Sequence, residues 1–148
     1  MIQSAAPASL RTLHLDCPAP TALGPLAAAR LAVQLPALRA LHLTDACGLT
    51  DEALAGLAGR LTDLTDLGLL GCRNLRGVAL RDIAAACPRL RSLAISRSTV
   101  QAIAFEPVSR LERLESLSVS ACARTDYTPV LNLVAACPRT PLPAAPPP

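Results

Sequence analysis

The 148-residue sequence has no lysine and no tryptophan, and it contains only one phenylalanine and one tyrosine. Proteins that bind nucleic acids neutralise phosphates with clustered positive charge and commonly stack bases on aromatic side chains. Here all 14 cationic residues are arginines, and they are scattered among 11 carboxylates without forming a basic stripe. The composition therefore argues against nucleic-acid binding.

Catalytic motifs are also missing. The sequence has no glycine-rich phosphate loop, no HExxH, no GxSxG and no paired catalytic carboxylates. Nucleophilic catalysis needs a serine or cysteine beside a base, but both histidines precede residue 43 and the serine cluster follows residue 91. We expect a protein that is not an enzyme and that has no metal and no cofactor.

Cysteine pairs at close spacing are absent as well. The six cysteines stand at positions 17, 47, 72, 87, 122 and 137, and none forms Cys-x-x-Cys. Free cysteine is among the most frequently buried residue types, so we expect stacked, buried thiols. A zinc site or a disulfide framework is the less favoured alternative, because both use denser cysteine patterns.

The sequence shows no targeting or membrane-spanning segment. Residues 1–9 lack the charged start and apolar run of a signal peptide. The most apolar stretch, residues 18–38, is interrupted by Pro18, Pro20, Pro25, Pro36 and Arg30, which excludes a membrane span. These features predict a location in the cytoplasm or the nucleus.

What the sequence does contain is a repeat. A phrase Leu-x-x-Leu-x-Leu begins at residues 10, 38, 64, 90 and 114, at intervals of 28, 26, 26 and 24 residues. This spacing is typical of leucine-rich repeats, in which a short strand is followed by a helix or a 3₁₀ turn. We predict an α/β solenoid of about five repeats, with parallel strands on the inner face and helices on the outer face. The phrases are Leu10/Leu13/Leu15, Leu38/Leu41/Leu43, Leu64/Leu67/Leu69, Leu90/Leu93/Ile95 and Leu114/Leu117/Val119.

A second apolar phrase recurs between the strands at the helical spacing i, i+3, i+4, i+7. Thr50, followed by two carboxylates, predicts a helix N-cap. In the fourth repeat Pro107 lacks the amide hydrogen that a regular helix would use, so we expect a short or irregular element there. The helical sets are Ala28/Leu31/Ala32/Leu35, Leu54/Leu57/Ala58/Leu61, Leu80/Ile83/Ala84/Cys87, Ala104/Pro107/Val108/Leu111 and Val130/Leu133/Val134/Cys137.

The repeats divide the chain into three parts. Residues 1–9 form an N-terminal extension, residues 10–139 the repeat domain, and residues 140–148 a proline-rich tail that we expect to be disordered. Neither end contains a recognisable cap, although solenoids need polar terminal caps. We therefore expect an excerpt or short form of a longer protein, with marginal solubility or association through its open ends.

Candidate binding residues lie between the inward-pointing leucines of each strand. Strand alternation places them together on the exposed inner face, which has mostly small side chains. His14 and His42 occupy equivalent positions on neighbouring strands, and they are solvated histidines, partner contacts or, least favoured, metal ligands. The candidates for contact with a protein partner are His14, Asp16, His42, Thr44, Asp66, Leu70, Ser96, Ser116, Ser118 and Ser120.

Three stretches resemble the cysteine-containing type of leucine-rich repeat. They are residues 36–54, residues 64–75 with Cys72, and residues 87–93, which begin Cys-Pro-Arg-Leu. This type is characteristic of the F-box/leucine-rich-repeat proteins, which bind substrates for cullin-based ubiquitin ligases. The pattern departs from the type at Cys47, which stands one position late, and at Ser98, which takes a cysteine position.

The resemblance implies a substrate-recognition module linked to ubiquitin-dependent degradation. Nothing at the N-terminus is long enough to be an F-box, so we do not expect this chain to bind the ligase adaptor by itself. The alternatives are a scaffold or inhibitor unconnected with ubiquitin, or a truncated form without function.

Overall fold

The repeat phrases form five parallel strands. The computed structural model describes residues 9–17, 19, 23–122 and 128. In chain order the elements are β1 (Thr12–Asp16), α1 (Pro25–Gln34), β2 (Ala40–Thr44), α2 (Asp51–Ala58), β3 (Asp66–Leu70), α3 (Ala79–Ala86), β4 (Ser92–Ser96), a 3₁₀ helix (Ala102–Arg110) and β5 (Ser116–Ser120). All strands lie in one sheet in the order β1-β2-β3-β4-β5, which confirms the predicted arrangement.

The register of the sheet follows the leucine phrase. Leu13, Leu41, Leu67, Leu93 and Leu117 are paired across the sheet from strand to strand. In the three central strands these side chains are at most 2% exposed, because helices cover that face of the sheet. Leu13 and Leu15 of β1 are only partly buried, as expected for the first layer of a stack.

The start of α2 and the irregular element of the fourth repeat are as the sequence predicts. α1 starts with Pro25, whose missing amide hydrogen costs nothing at the first helical position. Thr50 caps α2, since its hydroxyl oxygen accepts a hydrogen bond of 3.3 Å from the amide of Ala53. The fourth repeat has a 3₁₀ helix containing Pro107, which confirms the prediction of an irregular element.

The 3₁₀ helix carries the largest fully buried side chain of the described residues, that of Phe105. The sequence pattern assigned the inward face to other residues, among them Val108 and Leu111, which are also buried. A 3₁₀ helix has three residues per turn instead of 3.6, so it turns a different set of side chains inward. The helical periodicity therefore missed Phe105.

Four of the five strands, β2 to β5, end in the same tight turn. Asp45, Gly71, Arg97 and Ala121 stand at equivalent positions and have φ angles between 50° and 70°. The backbone amides of Asp45, Gly71 and Arg97 continue the ladder, as in the hydrogen bond of 2.7 Å from Asp45 N to Leu70 O. Only glycine adopts this left-handed conformation without steric cost, so the turn is set by the stacked ladder and not by local preference.

Parts of the prediction lie outside the described residues. They are the proline-rich tail at 140–148, the helical set from 130 to 137, Cys137 and residues 1–8 of the N-terminal extension. Within the part of the chain that the structure describes, no helix is long and apolar enough to cross a membrane.

Candidate functional site

The face of the sheet opposite the helices is formed by alternate strand residues, and we call it the inner surface. It comprises residues 12, 14 and 16 of β1 and the residues paired with them on the other four strands. All ten predicted contact residues lie on it. His14, Asp16, Leu70, Ser116, Ser118 and Ser120 are exposed, whereas His42, Thr44, Asp66 and Ser96 are half-buried.

The two histidines stack on each other. The ring centroids of His14 and His42 are 4.4 Å apart, and the ring planes differ by only 8°. The direct pairing of these residues in the parallel ladder causes this contact, since neighbouring strands lie about 4.8 Å apart. The lone pairs of imidazole nitrogen atoms lie in the ring plane, so two stacked rings do not direct them toward one ion between the rings. Among the described residues, no group of three or more His, Cys, Asp or Glu side chains is placed to hold a metal.

His42 also covers Gly68 on the next strand. A Cβ atom added to Gly68 would overlap Nδ1 of His42, so the imidazole fills the space that a side chain at position 68 would take. Gly68 is therefore buried, although strand alternation predicts an exposed residue there. The ring of His42 is held between His14 and the β3 backbone, and the three residues form a ridge across the first three strands.

The environment of His42 favours its neutral form. Burial of the imidazole lowers the pKa of His42 below 6.5, and the neighbouring His14 lowers it further. The carboxylate of Asp66 acts in the opposite direction. Asp66 is itself oriented by the hydroxyl of Thr65, which donates a hydrogen bond of 2.6 Å to Oδ2.

The serine-rich end of the inner surface is far from the histidines. Ser116, Ser118 and Ser120 lie on β5, four strands away from His14, which corresponds to about 19 Å at the usual strand spacing. Between them Leu70 of β3 is 40% exposed, the only large apolar side chain of the inner surface with this exposure. The structure thus places the ten predicted residues on one surface but does not bring the histidines and serines together.

The thiols lie behind the sheet. Cys72 and Cys87 are fully buried, and burial raises the pKa of each thiol to about 11. Cys87 Sγ lies 3.5 Å from Leu61 O in the preceding repeat, so the thiol links two layers. The thiolate is the nucleophilic form of cysteine, so these two groups are structural and not reactive.

One expectation about the cysteines is wrong. Cys47 is half-buried instead of buried. The position equivalent to Cys72 in the second repeat is taken by Ala46, which is completely buried. Cys47 follows one residue later and therefore leaves the stack. In the fourth repeat Ser98 takes the slot, and its hydroxyl lies 3.4 Å from Cys122 Sγ.

A polar groove at the loops that follow the strands was not expected from the sequence. It has a volume of about 810 Å³ and lies beside Asp51. Both carboxylate oxygens of Asp51 accept hydrogen bonds from backbone amides of the next repeat, those of Arg76, Gly77 and Ala79, at 2.8–3.1 Å. One feature of the sequence could have indicated this contact: Asp51 and Gly77 are 26 residues apart, which is the length of one repeat. The lining residues are Thr50, Asp51, Glu52, Arg73, Asn74, Arg76, Thr99 and Gln101.

Comparison with known proteins bears on the fold alone. No family model matches the sequence, and no curated protein matches it. The structure is similar to a chain in the crystal structure of the Rad7 and Elc1 complex in yeast, with a TM-score of 0.63 and 24% sequence identity over 76% of this chain. The match spans only 29% of that chain. Together with the five-stranded parallel sheet, this likeness defines the class of the protein, an α/β solenoid of the leucine-rich-repeat type.

Proposed function

We propose that this chain is a non-catalytic recognition module that binds another polypeptide on its inner surface. The observation that carries the proposal is the exposure of Leu70 in the middle of a sheet surface with small neighbours. A short side chain such as Ser96 lets a partner backbone approach the sheet, and Leu70 offers apolar area to it. The ridge of His14, His42 and Gly68 supplies a shaped edge for specificity.

A comparison of two triple variants of the full chain tests the surface. His42→Thr, Asp66→Thr and Leu70→Thr together remove the larger features of the inner surface while keeping strand-forming residues. Val78→Ser, Arg81→Ala and Asp82→Ala together change the same classes of side chain on or next to α3, where all three are exposed. We expect the first set to reduce partner recovery in affinity purification at least tenfold, with no effect of the second set. Equal loss with both sets would contradict the proposal.

The finer form of the proposal is substrate recognition for a ubiquitin ligase. It is supported by the resemblance of residues 36–54, 64–75 and 87–93 to the cysteine-containing repeats of F-box/leucine-rich-repeat proteins. In this form the adaptor-binding F-box would be supplied by a longer version of the protein. The alternative is a scaffold or inhibitor without a link to ubiquitin, for which the open inner surface would serve equally well.

Two observations separate these functions. An F-box in the coding sequence upstream of this chain would favour the ligase function, and its absence would favour the scaffold. The purified 148-residue chain should not retain the ligase adaptor in a pull-down, and recovery of the adaptor would contradict our proposal that docking requires a separate F-box.

A further inference from the structure

The outer surface of α1 carries two exposed apolar side chains. Leu26 is 82% exposed and Val33 is 61% exposed. They are seven residues apart, so they lie two turns apart on one side of the helix, with exposed Ala29 between them. The buried residues of the same helix, Ala28 and Ala32, face the core. Leu26 and Val33 therefore form a ridge that the other described residues leave exposed.

A shallow groove runs beside this ridge, between α1 and α2. Its volume is about 230 Å³, and its walls are mainly apolar. The small side chains of Ala29 and Ala53 and the bare backbone of Gly56 leave it open. The complete set of lining residues is Pro25, Ala29, Glu52, Ala53, Gly56 and Arg60.

Gly56 is an unexpected residue inside a helix. A Cβ atom added there would meet none of the described residues within 4 Å, so alanine would fit the described fold. Glycine in a helix interior is less favourable than alanine by about 1 kcal/mol. The packing of the described residues therefore gives no reason for glycine at this position, whereas the close approach of another helix does.

The charges along the groove are complementary under a two-fold rotation. Glu52 lies in the first turn of α2, and Arg60 lies just beyond its last turn. Neither side chain is in an ion pair with another described residue. If a second copy packs with its helices antiparallel, Glu52 of each copy faces Arg60 of the other.

We propose that two copies of this chain form a two-fold dimer through α1 and α2. The Leu26 and Val33 ridge of each copy enters the groove over Gly56 of the other. A two-fold contact uses the same patch on both chains, so it closes at two copies. Helices α1 and α2 are covered in this dimer and both inner surfaces stay open, so the dimer presents two partner-binding sites. This inference goes beyond the proposed function and does not depend on it.

Sedimentation velocity of the full 148-residue chain tests the dimer. We expect a concentration-dependent dimer at tens of micromolar, with Leu26→Glu and Val33→Glu together weakening association about 100-fold. Leu70→Glu on the inner surface is the matched control and should leave the dimer intact. Gly56→Ala should raise the thermal stability of the monomer while weakening the dimer, so loss of association in this variant cannot be attributed to unfolding.

A charge-exchange experiment identifies the geometry. Arg60→Glu alone and Glu52→Arg alone should each impair association, because like charges would then meet across the two-fold axis. An equimolar mixture of the two variants should regain the dimer, because opposite charges meet at both ends. The proposal is overturned if the unaltered chain stays monomeric at 100 µM, a concentration of about ten times the expected dissociation constant, or if the mixture does not associate.

Discussion

The imidazole of His42 occupies the place that a side chain at Gly68 would fill on the next strand. This relationship ties a candidate binding residue to the β3 backbone, and the stacked ring of His14 holds it from the other side. Without these two contacts, a histidine on the surface of a parallel sheet could adopt several rotamers. The position of the His42 side chain therefore depends on contacts with the two neighbouring strands, β1 and β3, as well as on its own strand, β2.

Gly68→Ala tests this relationship. The added methyl group would overlap Nδ1 of His42, so the ring must turn away and lose its stacking on His14. We expect the nuclear Overhauser effects between the two rings to disappear, with a loss of about 1 kcal/mol in the free energy of unfolding. Ala94→Ser, at the equivalent position of β4, is the control and should leave both rings in place. Persistence of the stacked pair in Gly68→Ala would contradict the packing described.

The stability of the protein should depend on pH through His42. Its pKa in the folded chain is lowered from 6.5, chiefly by burial and also by His14, so the unfolded chain binds more protons than the folded chain just below pH 6.5. The part of the folding stability that depends on neutral His42 is therefore fully present above pH 6.5. It is lost as the pH falls from 6.5 through the pKa of His42 in the folded chain. Urea unfolding between pH 8 and pH 5 should show this decrease.

His42→Asn is the control for that titration, since it removes the titrating group and should flatten the dependence in this window. Asp66→Asn should shift the titration of His42 to still lower pH, because Asp66 is the group that raises this pKa. An unchanged slope in His42→Asn would assign the effect to another group.

Asp51 should stabilise the repeat that follows its own. The N-cap residue of α3, Val78, makes no capping hydrogen bond with its own side chain, and Asp51 of the preceding repeat accepts hydrogen bonds from three backbone amides at this helix start. Asp51→Ala leaves these donors without their partner, and we expect the free energy of unfolding to fall by about 1–2 kcal/mol. Hydrogen exchange at Gly77 and Ala79 should become faster.

Asp63→Ala is a suitable comparison for Asp51→Ala. Asp63 forms an exposed ion pair of 2.8 Å with Arg89, and such pairs contribute little. We expect a change below about 0.5 kcal/mol for this variant. If both variants lost equal stability, the capping role of Asp51 would be wrong.

The cysteines should differ in their reaction with iodoacetamide. Burial raises the pKa of Cys72 and Cys87 to about 11, so the thiolate of either residue is scarce at pH 8, whereas Cys47 is half-buried. Mass spectrometry of the native chain should show alkylation of Cys47 well before that of the other two. In urea the three should react at similar rates, and a fast native reaction of Cys72 would contradict its burial.

The sequence alone determined the periodic part of this protein. The leucine spacing predicted five parallel strands and their common register, Thr50 predicted the start of α2, and Pro107 predicted the irregular fourth element. These predictions succeed because they rest on local rules, namely the side-chain period of a strand or helix and the hydrogen-bonding capacity of a single residue. The same rules placed all ten candidate residues on one surface.

The tertiary structure alone decided which residues make contacts between one repeat and the next. The contact of His42 with Gly68, the capping of α3 by Asp51 and the groove above Gly56 depend on how closely neighbouring layers stack. Phe105 points inward because the shortened fourth interval folds as a 3₁₀ helix instead of an α-helix. Such contacts join residues 24–29 positions apart, or helices whose spacing is set by the whole stack, and no local pattern encodes that distance.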